Sequence, residues 1–135
     1  MLSTLLSTTI SLLYAYKGCL LIDNSYNSNV NSFKENLELL SLLTPKSNKK
    51  YLITPGLVEM GAEHNNIHTL LGIFASTRVD AALIVCPARI KSFIKAFKEH
   101  CDSSTQLLTF ESFNEAQHWI NIHINKNDGV LIEND

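Results

Sequence analysis

The 135-residue chain lacks several patterns that mark familiar classes of protein. Its three cysteines, Cys19, Cys86 and Cys101, are far apart and form no Cys-x-x-Cys motif, which argues against a disulfide framework or a zinc site. It contains no Walker A loop, no Gly-x-Gly-x-x-Gly and no nucleophile elbow. If a nucleotide is used, its phosphates must therefore be held by something else.

The chain also lacks a charge excess and a targeting segment. Its net charge of -2 and pI near 6.2 give no electrostatic reason to expect nucleic acid as a partner. Residues 1–16 are apolar, but they lack the basic start and cleavage site of a signal peptide and are too short to span a bilayer. We therefore expect a cytoplasmic protein with reduced thiols and no membrane partner.

What is present is the composition of one globular domain, with 45% hydrophobic and 18% charged residues. We predict a single domain over residues 1–135, in which residues 1–6 extend the first strand, form a short helix or remain irregular. Six β-prone runs are predicted as strands: residues 7–16, 19–23, 51–54, 81–86, 106–110 and 129–132. Four helical patterns lie between them: from Asn31 or Ser32 to Leu43, residues 62–77, residues 88–100, and from Glu111 or Ser112 to His123.

The first two strands are separated only by Lys17 and Gly18, which favours an antiparallel hairpin. The later alternation of strands and helices favours right-handed parallel crossovers. The predicted fold is therefore α/β: a Rossmann-like three-layer sandwich with a mainly parallel sheet of about six strands and an antiparallel N-terminal edge strand. The apolar faces of the first two helices are predicted to contain Phe33, Leu37, Leu40 and Leu43, and Ile67, Leu70, Leu71 and Phe74.

Polar segments follow three of the predicted strands and should meet at one edge of the sheet. They are residues 23–29, 54–61 and 133–135, and the crevice at the carboxyl ends of parallel strands is where α/β proteins bind ligands. Asn and Ser there are also typical of turns and helix caps, so a purely structural role stays open. Glu59 lies in a Gly-bounded loop, and the spacing of His64 and His68 is compatible with a metal but lacks a third ligand.

The polar segments resemble motifs of the carboxy-terminal domain of Mur ligases, in the same order. Residues 23–30 read Asp-Asn-Ser-Tyr-Asn-Ser-Asn-Val, similar to the Asp-Asp-Ser-Tyr-Asn-Ala-Asn-Pro of the ligases that add D-alanyl-D-alanine. Residues 54–61, Thr-Pro-Gly-Leu-Val-Glu-Met-Gly, resemble the Gly-Asp-Met-x-Glu-Leu-Gly loop in a Thr-Pro-Gly variant, and residues 130–135 resemble the late strand of such variants.

The resemblance implies a domain that closes over a separate ATPase domain in an enzyme that makes amides through an acyl phosphate. It implies ATP and magnesium, shared with a central domain and not bound by this domain alone, and a UDP-MurNAc-peptide or related substrate. The central and N-terminal domains would lie on another chain or in the rest of the gene. The residues implied in binding nucleotide or substrate are Asp23, Asn24, Ser25, Tyr26, Asn27, Asn29 and Glu59; no metal ligand is implied, and no residue of this domain would be catalytic alone.

Two positions depart from the family pattern. Asn24 stands where the motif has its second aspartate, and Gly56 stands at the acidic position of the second loop. These changes leave open a non-catalytic remnant or interaction module that keeps the fold. An unrelated small nucleotide-binding α/β domain is a third interpretation.

Overall fold

The computed structural model describes residues 9–13, 18–25, 28–58 and 60–134. These ranges contain six strands: β1 (Thr9–Leu13), β2 (Cys19–Asn24), β3 (Lys50–Thr54), β4 (Ala81–Val85), β5 (Gln106–Phe110) and β6 (Gly129–Glu133). They also contain four α-helices: α1 (Val30–Leu43), α2 (His64–Ser76), α3 (Lys91–His100) and α4 (Phe113–His123). Short 3₁₀ turns, Gly61–Glu63 and Pro87–Ile90, lead into α2 and α3.

The strands form one sheet in the order β1-β2-β6-β3-β4-β5. β1 pairs antiparallel with β2, and the other neighbours pair in parallel, so the predicted α/β fold and its antiparallel edge strand are confirmed. The last crossover, through α4, returns from β5 and inserts β6 between β2 and β3. This insertion brings the ends of three strands that are distant in sequence next to one another.

Helices cover both faces of the sheet. Helices α1, α2 and α3 pack on one face around a core that includes Phe33, Leu71, Phe93 and Phe97. Helix α4 packs on the other face through Ala116 and Ile120. Because side chains alternate along a strand, neighbouring residues of β2, β6 and β3 belong to opposite faces. This alternation decides which polar residues at the strand ends can meet.

Two details of the predicted helices are wrong. Helix α1 begins at Val30 with Asn29 as its N-cap, earlier than the predicted Asn31 or Ser32. The cap is a capping box, in which the Asn29 side chain accepts from the Ser32 N–H and Ser32 Oγ accepts from the Asn29 N–H. A box needs two residues three apart, and both Asn29 and Ser32 belong to it.

Leu70 and Leu43 were expected in the apolar faces of their helices, but they are 65% and 44% exposed. The buried face of α2 is centred on His68, Gly72 and Ala75. A Cβ at Gly72 would lie 2.5 Å from the carbonyl oxygen of Phe93, so this glycine allows α3 to pack closely at that face and turns Leu70 outward. None of the helices in the described ranges is both long and apolar enough to cross a membrane.

Candidate functional site at the carboxyl edge of the sheet

The ends of β2, β6 and β3 are joined by hydrogen bonds at the carboxyl edge of the sheet. Asn24 and Glu133 are register partners in the parallel pair of β2 and β6. Thr54 Oγ1, at the end of β3, donates to the Glu133 carbonyl oxygen over 2.6 Å. The expected meeting of the three polar segments is therefore observed for these three residues.

The centre of this edge is the carboxylate of Glu133, which is 0% exposed. Its Oε1 accepts from Asn24 Nδ2 at 2.9 Å and from Ser28 Oγ at 2.7 Å. Its Oε2 accepts from Asn36 Nδ2 at 2.8 Å and from Asn24 Nδ2 at 3.2 Å. We call Glu133, Asn24, Ser28 and Asn36 the carboxyl-edge cluster. All three donor side chains are uncharged, so the cluster satisfies the carboxylate without a counter-charge.

The Glu133 pKa reflects this environment. Burial raises the pKa of the Glu133 carboxyl to about 7, against the lowering effect of hydrogen bonds from Asn36, Ser28 and Asn24, while the nearby Asp23 charge raises it further. Burial dominates because neutral donors stabilise an ion less than water does. Glu133 therefore changes its protonation state near neutral pH.

Asn24 is the most constrained residue predicted for the site. It is 0% exposed, and its Nδ2 donates to Ser32 Oγ at 3.1 Å as well as to Glu133. Its Oδ1 is buried and has no hydrogen-bond partner. The side chain thus works as a donor that links β2 to both β6 and the first turn of α1.

Asp23 and Ser25 lie apart from this cluster. Because Asp23 precedes Asn24 on the strand, its side chain belongs to the α4 face, where it lines a cavity of about 220 Å³ with Leu21, Ile132 and Gln117. Ser25 Oγ donates to the Asp23 carboxylate. Both residues are half-buried, so this carboxylate is more accessible than Glu133.

The remaining predicted site residues are Asn29, Tyr26, Asn27 and Glu59. Asn29 is exposed and caps α1, which is the structural role that the sequence left open. Tyr26, Asn27 and Glu59 lie outside the described residues.

The loop after β3 is held by His68. This imidazole is 0% exposed; its Nδ1 bonds the His64 carbonyl oxygen at 2.7 Å, and its Nε2 accepts from the Leu57 N–H at 2.9 Å. These bonds put the proton on Nδ1. Burial lowers the His68 pKa, so the ring stays neutral.

Gly56 completes the loop in a conformation with φ +84°, which L side chains rarely adopt. A Cβ there would clash with Ile90 Cγ2 and lie 2.8 Å from His68 Nε2. His64, whose i, i+4 spacing with His68 was compatible with a metal but lacked a third ligand, contacts the His68 ring in a tilted arrangement and bonds the Arg89 carbonyl oxygen through Nε2. In the described part of the chain, no group of three or more His, Cys, Asp or Glu side chains could hold a metal.

Glu133 and Ser28 belong to the polar segments expected at this edge, but neither they nor Asn36 were among the residues expected to bind a ligand. Glu133 was expected just past the last strand, but it is the final residue of β6, and its side chain faces α1. Asn36 did carry a signal, since it follows Ser32 by four residues and precedes Leu37 on the buried face of α1. A buried amide in an apolar helical face indicates a partner elsewhere in the core.

Among solved structures, the chain is similar to the crystal structure of the MurF ligase from Thermotoga maritima in complex with ADP. The TM-score is 0.70 at 21% sequence identity, and the match covers 88% of this chain and 25% of the ligase chain. No model of a known protein family matches the sequence, and no curated protein does. The likeness shows a Mur-ligase-like fold, and this chain spans about a quarter of the ligase that it resembles.

Proposed function

We propose that this chain is the carboxy-terminal domain of a Mur-type, ATP-dependent amide ligase that acts in the cytoplasm on a peptidoglycan precursor. Its task is to contact the nucleotide and the incoming amino acid or dipeptide while a central ATPase domain, on the same longer chain or another, holds the phosphates. The reaction would activate the carboxylate of a UDP-MurNAc-peptide or related substrate as an acyl phosphate, which the incoming amine attacks.

The observation that carries the proposal is the meeting of the three resembled segments at one edge. Asn24, Thr54 and Glu133 belong to segments that are far apart in the sequence, and hydrogen bonds join them in the fold. The likeness to a ligase structure supports the same assignment at the level of the fold. Ligand sites of open α/β sheets lie at this edge, which adds a physical reason independent of the resemblance.

Asp23 is the described side chain best suited to contact a charged ligand. It lies at the end of β2, it is half-buried, and a carboxylate there can accept from an ammonium group. Among the described residues no group of three or more His, Cys, Asp or Glu side chains comes together, and Mg²⁺ is usually held by one or two carboxylates together with the phosphates of its substrate. The proposal therefore leaves the metal and the phosphates to the central domain.

The proposal is tested in a chimera in which this chain replaces the matching segment of the Thermotoga maritima ligase. ATP-dependent amide formation is followed by phosphate release and by mass spectrometry of the product. We expect turnover that falls at least about tenfold with Asp23→Ala, because a charge-assisted hydrogen bond contributes about 1.5–3 kcal/mol. Asp102→Ala, in the loop between α3 and β5, is the matched control and should have no effect. A folded chimera that binds ADP and forms no amide would reject the ligase role.

A non-catalytic remnant is the second candidate, and Asn24 favours it because it replaces the aspartate of the resembled motif. Calorimetric titration of the chain with D-alanyl-D-alanine separates the two. A ligase domain should bind it, and Asp23→Ala should weaken that binding. A remnant should not bind it.

A further inference from the structure

Glu133 connects both ends of the loop that follows β2. Asn24 is the last residue of β2, and Ser28 lies just before the N-cap of α1; both donate to Glu133 Oε1. Asn36, two turns into α1, donates to Oε2. One side chain on β6 therefore fixes the entry of the loop, its exit and the helix that follows it.

The identities of Asn24 and Glu133 depend on each other. Asn24 Nδ2 donates to both oxygens of the carboxylate, at 2.9 and 3.2 Å. An aspartate at this position would have no N–H to donate and would place a second carboxylate against Glu133 in a fully buried site. Like charges at such a distance cannot both ionise without a large energetic cost. An amide at position 24 therefore stabilises an acid at position 133, whereas a second acid there would repel it.

We propose that Glu133 is the positioning residue of this site: its buried carboxylate accepts from Asn24 and Ser28 and so fixes both ends of the loop between β2 and α1. Asn24 is then the donor that this buried acid requires, and the amide at position 24 has a structural role of its own. Only the identity of the ligand that this loop contacts depends on the proposed function. The hydrogen bonds between Asn24 and Glu133 are present in the chain without any ligand.

The groups that surround the Glu133 carboxylate are mostly neutral, which agrees with this assignment. Strand β2 presents Asn24 and the charge of Asp23, while Thr54 of β3 donates to the backbone carbonyl oxygen of Glu133 and not to its carboxylate. Helix α1 presents Ser32 and Asn36, and the loop presents Ser28. The salt bridge found among the described residues joins Arg78 and Glu38, away from this cluster. Since the donors are neutral and the Asp23 charge adds only a smaller effect, burial is the main reason why the pKa of Glu133 is raised.

The test is an exchange of the acid and the amide in the intact 135-residue chain. The variants are Asn24→Asp, Glu133→Gln and the double variant, each followed by urea unfolding at pH 8 and pH 5. We expect Asn24→Asp to raise the equilibrium constant for unfolding about 100-fold at pH 8, with most of the loss recovered at pH 5, where the carboxyl pair binds protons. The double variant should recover at least about tenfold over Asn24→Asp at pH 8, because an amide again faces a single acid.

A matched control uses a second amide–carboxylate pair of the structure, away from the carboxyl-edge cluster. Asn48 Nδ2 donates to Asp128 Oδ1 at 3.0 Å, but Asn48 is half-buried. Asn48→Asp should therefore cost less than about tenfold and show a weaker pH dependence. If Asn24→Asp and Asn48→Asp changed the equilibrium constant for unfolding equally, burial of the pair between Asn24 and Glu133 would have no particular effect, which would contradict the proposal.

A second measurement separates positioning from general stability. Carbon-13 NMR of the Glu133 carboxyl should show titration near neutral pH, and Glu133→Gln should speed amide hydrogen exchange at Ser25, Ser28 and Asn29 more than in β4. Titration near the ordinary value of glutamate, or a double variant no better than the two single changes combined, would overturn the proposal. These results need no nucleotide, so they stand or fall separately from the ligase assignment.

Discussion

Two fully buried titratable side chains, Glu133 and His68, lie near the carboxyl edge of the sheet, and they are held in different ways. The donors to Glu133 come from residues 97 to 109 positions away in sequence. His68 bonds backbone groups only 4 and 11 positions away. Glu133 therefore links elements that meet only in the folded state, whereas His68 fixes a segment close to its own helix.

The difference extends to charge. Burial favours the neutral form of each group, so it raises the pKa of Glu133 and lowers that of His68. Acidification should then favour the folded state through Glu133 and oppose it through His68. This edge of the sheet therefore combines one set of long-range contacts, around Glu133, with one local set, around His68, and each set can be broken separately.

The largest expected effect is on the local side, at Gly56. Gly56→Ala should destabilise the chain by about 3–4 kcal/mol, because it combines positive-φ strain with a clash against Ile90 and His68. Urea unfolding measures the change. Gly61 is the matched control, since its φ is +58° and a Cβ there would meet nothing within 4 Å. Gly61→Ala should cost only about 1 kcal/mol, and equal costs would mean that contact with His68 does not matter.

The second prediction concerns the long-range side and its pH dependence. The Glu133 pKa rises from its ordinary value of 4.5 to about 7 in the fold. The contribution of protonation to stability is therefore fully present below pH 4.5 and lost as the pH rises through 7, by about 3 kcal/mol in total. The stability difference between the native chain and Glu133→Gln, measured by urea unfolding across this pH range, should fall as the pH rises. A constant difference would contradict the raised pKa.

The third prediction removes the acceptor for the Leu57 N–H. His68→Leu should cost about 2 kcal/mol, because a buried N–H loses its partner while the apolar volume is kept. His100 is the control, since its Nδ1 bonds a carbonyl oxygen of its own helix but its side chain is exposed. His100→Leu should change stability by less than about 0.5 kcal/mol.

The same variant tests the direction of the His68 pKa. With the pKa lowered in the fold, its contribution is present above pH 6.5 and lost as the pH falls through the folded value. The deficit of His68→Leu should therefore shrink on acidification, opposite in sense to the behaviour of Glu133.

The sequence predicted the local features better than the long-range ones. Strand β5 was predicted with its observed bounds, and Ser112 was one of the two residues proposed to begin α4, because each depends on a short pattern of residues. The meeting of three segments at one edge also followed from the strand alternation. The inward direction of Glu133 did not, since it depends on the strand extending one residue further and on the face to which that residue then points.

The alternation of side chains along a strand also explains why two of the predicted site residues lie apart from each other. Asp23 and Asn24 are adjacent in sequence and were grouped together, but alternation sends them to opposite faces of the sheet. The donors to Glu133 are separated by whole helices and strands from their acceptor, so no local motif marks them. The sequence could therefore locate this edge of the sheet, but it could not identify Glu133 as the residue on which the hydrogen bonds converge.

The smallest expected effect is at Asn29, where the local and long-range contacts meet. Its capping partner Ser32 also accepts from Asn24, which in turn donates to Glu133. Asn29→Ala should cost about 1 kcal/mol by urea unfolding, the usual value for an N-cap, and Asn29→Asp should recover most of it because aspartate caps equally well. Ser112→Ala, at the cap of α4, provides a matched cap away from the cluster. If the cap and the cluster act as one unit, the cost of Asn29→Ala will differ between the native chain and Glu133→Gln by more than about 0.5 kcal/mol, while that of Ser112→Ala will be the same in both. Equal costs in both backgrounds would show that the start of α1 is held locally, and that the influence of Glu133 ends at Asn24, Ser28 and Asn36.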